Sequence, residues 1–185
     1  MSTMEITESA LLHCLSLSLR PSDSVHSLPS LTEQEWAQVL ALADRNEVLP
    51  LLETVLEDVG LPPALRSAME WKTAGTVHQS IRLQALTEKL TKLLREADIT
   101  AITLKGCAVA RFYPVPEFRK TSDIDLFVSN GEDLKRAVQI LCANGFHLSE
   151  KWHSNHHVIL TSEKKEEVEF QAAWTECCQE KHLNR

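Results

Sequence analysis

The feature that most constrains this chain is a change of hydrophobic period near Asp98. Ahead of it, apolar residues recur every three or four positions; beyond it, they come in short β-branched or alternating runs. A period near 3.6 lays an apolar stripe along a helix, and a period of two lays an apolar face on a strand, so one kind of element cannot serve both halves. Helices first, then strands interleaved with helices, select an α+β fold with an α/β core. The expected architecture is a small mixed β-sheet with helices on one side, preceded by an N-terminal helical layer. The expected division is 1–97 for the helical region and 98–185 for the core, with the last helix of the first part packing on the sheet.

Local signals set the elements. In the first half, Ala10, Leu11, Cys14, Leu15 and Leu17 to Leu19 fit an amphipathic helix ended by Arg20-Pro21, because a residue before proline resists the α region. A Ser- and Pro-rich loop follows over 21–30. Thr32 and Glu35 then have the spacing of a capping box, with Trp36, Val39, Leu40 and Ala43 at helical intervals behind it. The pattern repeats over 48–59, stopped by Gly60 and Pro62-Pro63, and again over 64–97, with a break expected at Gly75. In the second half, 99–104 reads as a strand, Lys105-Gly106-Cys107 as a turn into a helix over 108–112, and Pro114 and Pro116 as an extended loop. A strand over 124–128 and a helix over 131–144, closed by Asn144-Gly145, come next. Three more strands are expected at 146–150, 157–161 and 168–172.

Composition narrows the function. Glycine and proline number only 5 and 7 in 185 residues, which favours long regular elements over a loop-rich β-sandwich. The net charge is −7, and the pair Lys164-Lys165 is followed at once by Glu166-Glu167. A protein that gripped nucleic acid by releasing counterions would carry a basic stripe, and none is present. Five cysteines without framework spacing read as reduced thiols. The apolar patch at 11–19 is too short to span a bilayer and lacks the basic start of a signal peptide. A cytoplasmic protein is expected, with no membrane partner.

The chemistry concentrates in Thr121-Ser-Asp123-Ile-Asp125-Leu-Phe-Val128. On a strand, Asp123 and Asp125 project side by side while Ile124 and Leu126 enter the core. Two adjacent carboxylates repel unless a cation compensates, and oxygen-only ligands at this spacing suit Mg²⁺ or Mn²⁺. A bare Asp-x-Asp is more often a solvated strand end, so its neighbours matter. Lys105 and Gly106 lie on a strand–glycine–helix turn of the kind that presents backbone amides to phosphate, with Lys105 adding a charge. Glu169 alternates with Val168 and Phe170, so it faces away from the core and offers a third carboxylate, as metal ligand or base.

The string LKGCAVARFYPVPEFRKTSDIDLFV, residues 104–128, resembles the signature of the uncharacterised nucleotidyltransferases of the DNA polymerase β superfamily. Trp36, Ala43, Val48 and Pro50-Leu51-Leu52 resemble that family's helical lead-in. Asn144-Gly145-Phe146, His156-His157 and Val168-Glu169-Phe170-Gln171 resemble its downstream segments, so the likeness covers about residues 30–175. It implies a nucleotidyltransferase-like sheet and transfer of a nucleoside monophosphate from an NTP to a hydroxyl-bearing acceptor, with pyrophosphate released. It also implies Asp123, Asp125 and Glu169 as catalytic residues and ligands of Mg²⁺ or Mn²⁺, and Lys105, Gly106, Cys107 and Arg119 as nucleotide-binding residues. Cys107 stands where the superfamily usually has serine or glycine, Gln171 where the closer family usually has histidine, and Arg185 ends the chain where relatives continue into C-terminal helices. Cys107 and the short C-terminus favour the alternative, a catalytically inactive nucleotide-binding or regulatory module of the same fold. The acidic balance favours a small-molecule or protein acceptor over nucleic acid; oligomeric state, a homo-oligomer included, is left open.

Among other residues, Tyr113 is expected to pack under the proline-rich loop. His147, His153, His156 and His157, with Trp152, lack the spacing or cysteine partners of a zinc site. The adjacent Cys177 and Cys178 read as an inert pair in the tail.

Overall fold

The computed structural model describes residues 3–20, 28–57, 59–149 and 157–172. Glu150, Trp152, His153, His156, Cys177 and Cys178 lie outside them, as does most of the Ser- and Pro-rich loop. The chain forms two compact units, one of residues 1–80 with 110–120, the other of 81–109 with 121–185.

The first unit is helical: α1 (Thr3–Leu19), α2 (Glu33–Arg45), a 3₁₀ turn (Leu49–Leu52), the single turn α3 (Glu53–Leu56) and the start of α4 (Pro63–Glu96). The expected capping box opens α2, where Glu35 N–H donates to Thr32 Oγ1 and Thr32 N–H donates to Glu35 Oε2. The helix expected over 48–59 is instead the 3₁₀ turn and α3, because Pro50 stands at the turn's start with no amide to donate. The Arg66 guanidinium donates to the carbonyls of Leu56, Glu57 and Val59, supplying partners that a short helix leaves wanting. Cys14, Trp36, Val39, Leu52, Leu56 and Met69 lie in this unit's core, and Tyr113 and Phe118 of the proline-rich loop pack against it.

The second unit holds the end of α4, β1 (Ala101–Thr103), α5 (Lys105–Ala110, largely), β2 (Asp123–Val128), α6 (Gly131–Ala143), β3 (Phe146–Leu148), β4 (His157–Ser162) and β5 (Glu167–Ala172). The break expected at Gly75 is absent: α4 runs unbroken through it for 34 residues. One glycine costs a helix only about 1 kcal/mol, which neighbouring turns absorb. The helix stops where Ile99 N–H bonds to Leu94 O and Asp98 N–H to Arg95 O, with Asp98 in the left-handed region at φ 58°. This is a Schellman ending with aspartate in the place glycine usually takes.

The five strands form one mixed sheet in the order β1-β2-β5-β4-β3, in which β2 and β5 are parallel and the other neighbours antiparallel. Ile124, Leu126, Val128, Leu160, Val168, Phe170 and Ala172 share one core with Leu83, Leu90 and Leu94 of α4 and Leu134, Ala137 and Leu141 of α6. Both helices therefore cover the same face, as expected, and the alternate residues of β2 and β5 point the other way. No helix among the described residues is long and apolar enough to cross a membrane.

Candidate active site

The reverse face of β2 and β5 carries the acids. The parallel register pairs Asp125 with Glu169 and Asp123 with Glu167. Asp123 and Asp125, two apart on one strand, thereby share a face with Glu169. Ligand oxygens of Asp123, Asp125 and Glu169 all lie within 4.8 Å of one another, the one group among the described residues arranged to hold a metal ion. Asp125 is 3% exposed, unusual for an aspartate and costly when ionised without a cation.

Lys105 supplies a cation. Its ammonium donates to Asp125 Oδ1 at 3.2 Å, although the rest of the lysine side chain is largely exposed. Burial pushes the Asp125 carboxyl above its ordinary value, the hydrogen bond from Lys105 opposes that, and the charge of Asp123 adds to the rise. The same hydrogen bond and the charge of Asp125 push Lys105 up. For Glu169, burial pushes upward, but hydrogen bonds from Gln171 and His157, with the charges of His157 and Lys105, outweigh it and hold the carboxyl below the usual range.

The turn bearing Lys105 is tightly built. Lys105 has φ 36° and Gly106 φ 20°, ψ −109°, so α5 is kinked at its second residue rather than starting as a regular helix. A Cβ on Gly106 would meet Thr121 Cγ2 at 2.9 Å and Asp123 O at 3.6 Å. Only glycine fits so close to the strand that carries the aspartates. Leu104 N–H donates to Asp125 O, tying this turn to β2. Cys107 is half-buried, packs against the sheet core and accepts from Thr87 Oγ1 at 3.8 Å.

Lys105, Gly106 and Cys107 thus belong to the same unit as the carboxylates, with Lys105 in direct contact. Arg119 belongs to the other unit, where its N–H closes the 3₁₀ turn Pro116–Phe118 on Pro116 O. Two residues outside the expected site set reach Glu169: His157 Nε2 lies 2.7 Å and Gln171 Nε2 2.9 Å from its Oε1. The signal for Gln171 was its place two residues beyond Glu169 on one strand face. That for His157 was the pairing of β4 with β5, which the sequence does not spell out.

No curated protein and no solved structure matches the chain. The family described as "Uncharacterised nucleotidyltransferase" matches it over residues 32–183, most of its length and both units, with the acidic cluster inside the match. With an α+β fold and three convergent carboxylates in keeping, the chain belongs to this nucleotidyltransferase family.

Proposed function

We propose that the chain is a metal-dependent nucleotidyltransferase that moves a nucleoside monophosphate from an NTP to a hydroxyl-bearing acceptor, releasing pyrophosphate. The observation that carries this reading is the convergence of Asp123, Asp125 and Glu169, on the face of the sheet turned from the core.

The donor set fits a hard divalent cation: three carboxylates with no sulfur or nitrogen among them, one of them buried and already drawing a cation from Lys105. Asp123 and Asp125 would hold Mg²⁺ or Mn²⁺, and Glu169 would complete a second position. Such an ion, when bound, neutralises charge on the triphosphate and on the departing pyrophosphate. The protein's own groups do the rest. Glu169, held ionised, takes part in removing the acceptor's hydroxyl proton. The acceptor oxygen then attacks the α-phosphorus in line, the bond to the bridging oxygen breaks, and pyrophosphate leaves with the electron pair. Lys105 turns its ammonium from Asp125 to phosphate, and Gly106 and Cys107 are kept as nucleotide-binding residues on the family resemblance. Arg119 is kept as a nucleotide-binding residue on the family resemblance alone. The net charge of −7 favours a small-molecule or protein acceptor, and the cytoplasm is the proposed compartment.

One observation favours a second reading, a nucleotide-binding or regulatory module without turnover: the Lys105–Asp125 pair already neutralises a carboxylate that a metal would claim. Labelled NTPs with Mg²⁺ or Mn²⁺ and a panel of hydroxyl acceptors separate the two. Pyrophosphate formed in step with labelled product supports the transferase. Nucleotide binding without pyrophosphate under either metal supports the module.

A further inference from the structure

Glu169 Oε1 is approached by two nitrogen donors, His157 Nε2 at 2.7 Å and Gln171 Nε2 at 2.9 Å. An ionised carboxylate only accepts, so both nitrogens must carry the hydrogen, which settles the orientation of the Gln171 amide and the proton on His157 Nε2. The sheet fixes both donors. His157 and Gln171 are register partners across β4 and β5, and Gln171 follows Glu169 by two residues on one face. Glu169 pairs with Ile159 on one side and Asp125 on the other. The donors thus form one row of the sheet and the carboxylates Asp125 and Glu169 the next.

A glutamate side chain has three rotatable bonds, and its carboxylate can present either oxygen or both to a cation. Two charge-assisted hydrogen bonds on one oxygen remove most of that freedom and leave Oε2 with neither donor. Partners of this kind orient metal-ligating carboxylates and commonly matter tenfold to a hundredfold in affinity. We infer that His157 and Gln171 are positioning residues that commit Glu169 Oε1 and reserve Oε2 for the cation shared with Asp123 and Asp125. This rests on the metal-dependent reading above, and it deepens it by making Glu169 a one-oxygen ligand whose aim is set from β4.

The test measures Mn²⁺ bound to the full chain by loss of the free-ion magnetic resonance signal, with α,β-methylene ATP present. Wild type is compared with His157→Leu, His157→Gln, Gln171→Leu and Glu169→Gln, each also melted in EDTA. A glutamine at 157 can return a donor nitrogen to the same oxygen; leucine cannot. Expected is a loss of Mn²⁺ affinity of about tenfold or more in His157→Leu, a smaller loss in Gln171→Leu, and recovery of most of the affinity in His157→Gln, with EDTA melts close to wild type. If Glu169→Gln loses Mn²⁺ affinity while His157→Leu and Gln171→Leu both bind like wild type, the positioning inference is overturned and the metal site stands. If Glu169→Gln itself binds Mn²⁺ like wild type, Glu169 is no ligand, and both the inference and the glutamate's part in the metal site fall. Should His157→Leu not fold, Gln171→Leu and His157→Gln decide between the same outcomes.

Discussion

Along β2 the side chains alternate between Ile124, Leu126 and Val128, each no more than 1% exposed, and Asp123, Asp125 and Phe127 on the reverse. Strand β5 repeats the division, with Val168, Phe170 and Ala172 against Glu167, Glu169 and Gln171. One face buries hydrocarbon against α4 and α6 and gains free energy from every methylene removed from water. The other gathers like charges and draws Asp125 out of solvent, and it holds together through specific partners: Lys105 on Asp125, His157 and Gln171 on Glu169. The two faces share a backbone yet answer to different demands. The covered face secures the fold, and the acidic face carries a standing cost that a cation would relieve.

That contrast breaks if a change on one face has the effect that belongs to the other. The largest expected effect is on turnover: Asp125→Asn is expected to lower pyrophosphate release on the order of a hundredfold or more, because it removes a ligand oxygen worth several kcal/mol in the transition state. Its thermal melt in EDTA is expected to match or slightly exceed that of wild type. An unstable mutant whose residual folded fraction remains active would make Asp125 a brace and not a ligand. Second is Phe170→Ala, at a position between Glu169 and Gln171 on β5 but on the covered face. It is expected to cost about 3–5 kcal/mol by leaving a cavity in the core, measured by urea unfolding, with the acids untouched.

A smaller effect sharpens the comparison at the rim of the acidic face. Gly106→Ala forces a side chain into a positive-φ site against Thr121 Cγ2 and is expected to cost about 1–3 kcal/mol. Thr121→Ser, which deletes that methyl, is expected to recover part of the loss. A fully additive double mutant in urea melts would show that the contact contributes nothing.

The smallest effect is in pH. The raised Asp125 value means the native state holds this proton more tightly than the unfolded chain. Its destabilising contribution is therefore absent below the ordinary aspartate value of 3.8 and is fully present once pH has passed the raised value. Glu169, held low, works the other way: its stabilisation is present above the ordinary glutamate value of 4.5 and is lost as pH falls through the depressed value. Subtracting the EDTA melting curve of wild type from that of Asp125→Asn leaves the contribution of Asp125 together with its coupling to Glu169, whose charge adds to the rise. The mutant's relative stability is then expected to rise with pH above 3.8. A flat or falling difference would mean that the Lys105 bond outweighs the cost of burial.

Much of this division was legible from strand phase alone. Period-two alternation placed Asp123, Asp125 and Glu169 on one face and Ile124, Leu126, Val168 and Phe170 on the other. The Thr32–Glu35 capping box and the Asn144-Gly145 helix ending were equally readable, because each depends on residues within one turn. What escaped depends on non-local geometry or on small energies. Gly75 was read as a break, although one glycine is too weak a disturbance to stop a helix of 34 residues. The Lys105–Asp125 bond arises from a turn at φ 36° and 20° that no residue pattern announces beyond the glycine itself. The His157 bond needs the register of β4 on β5, and register is set by the whole sheet.

The parallel pairing of β2 with β5 has a consequence for how the acidic cluster comes into being. Asp125 and Glu169 are register partners, yet they stand 44 positions apart in the chain, with α6, β3 and β4 between them. Closing so distant a contact is entropically expensive and belongs to the slow, non-local part of folding. During synthesis the two aspartates emerge with their partner strand still unmade, so a nascent chain holds an acidic pair and no third carboxylate. Complete chemistry and complete topology therefore arrive in the same event, and a ligand that recognises all three acids would bind only chains whose sheet has closed.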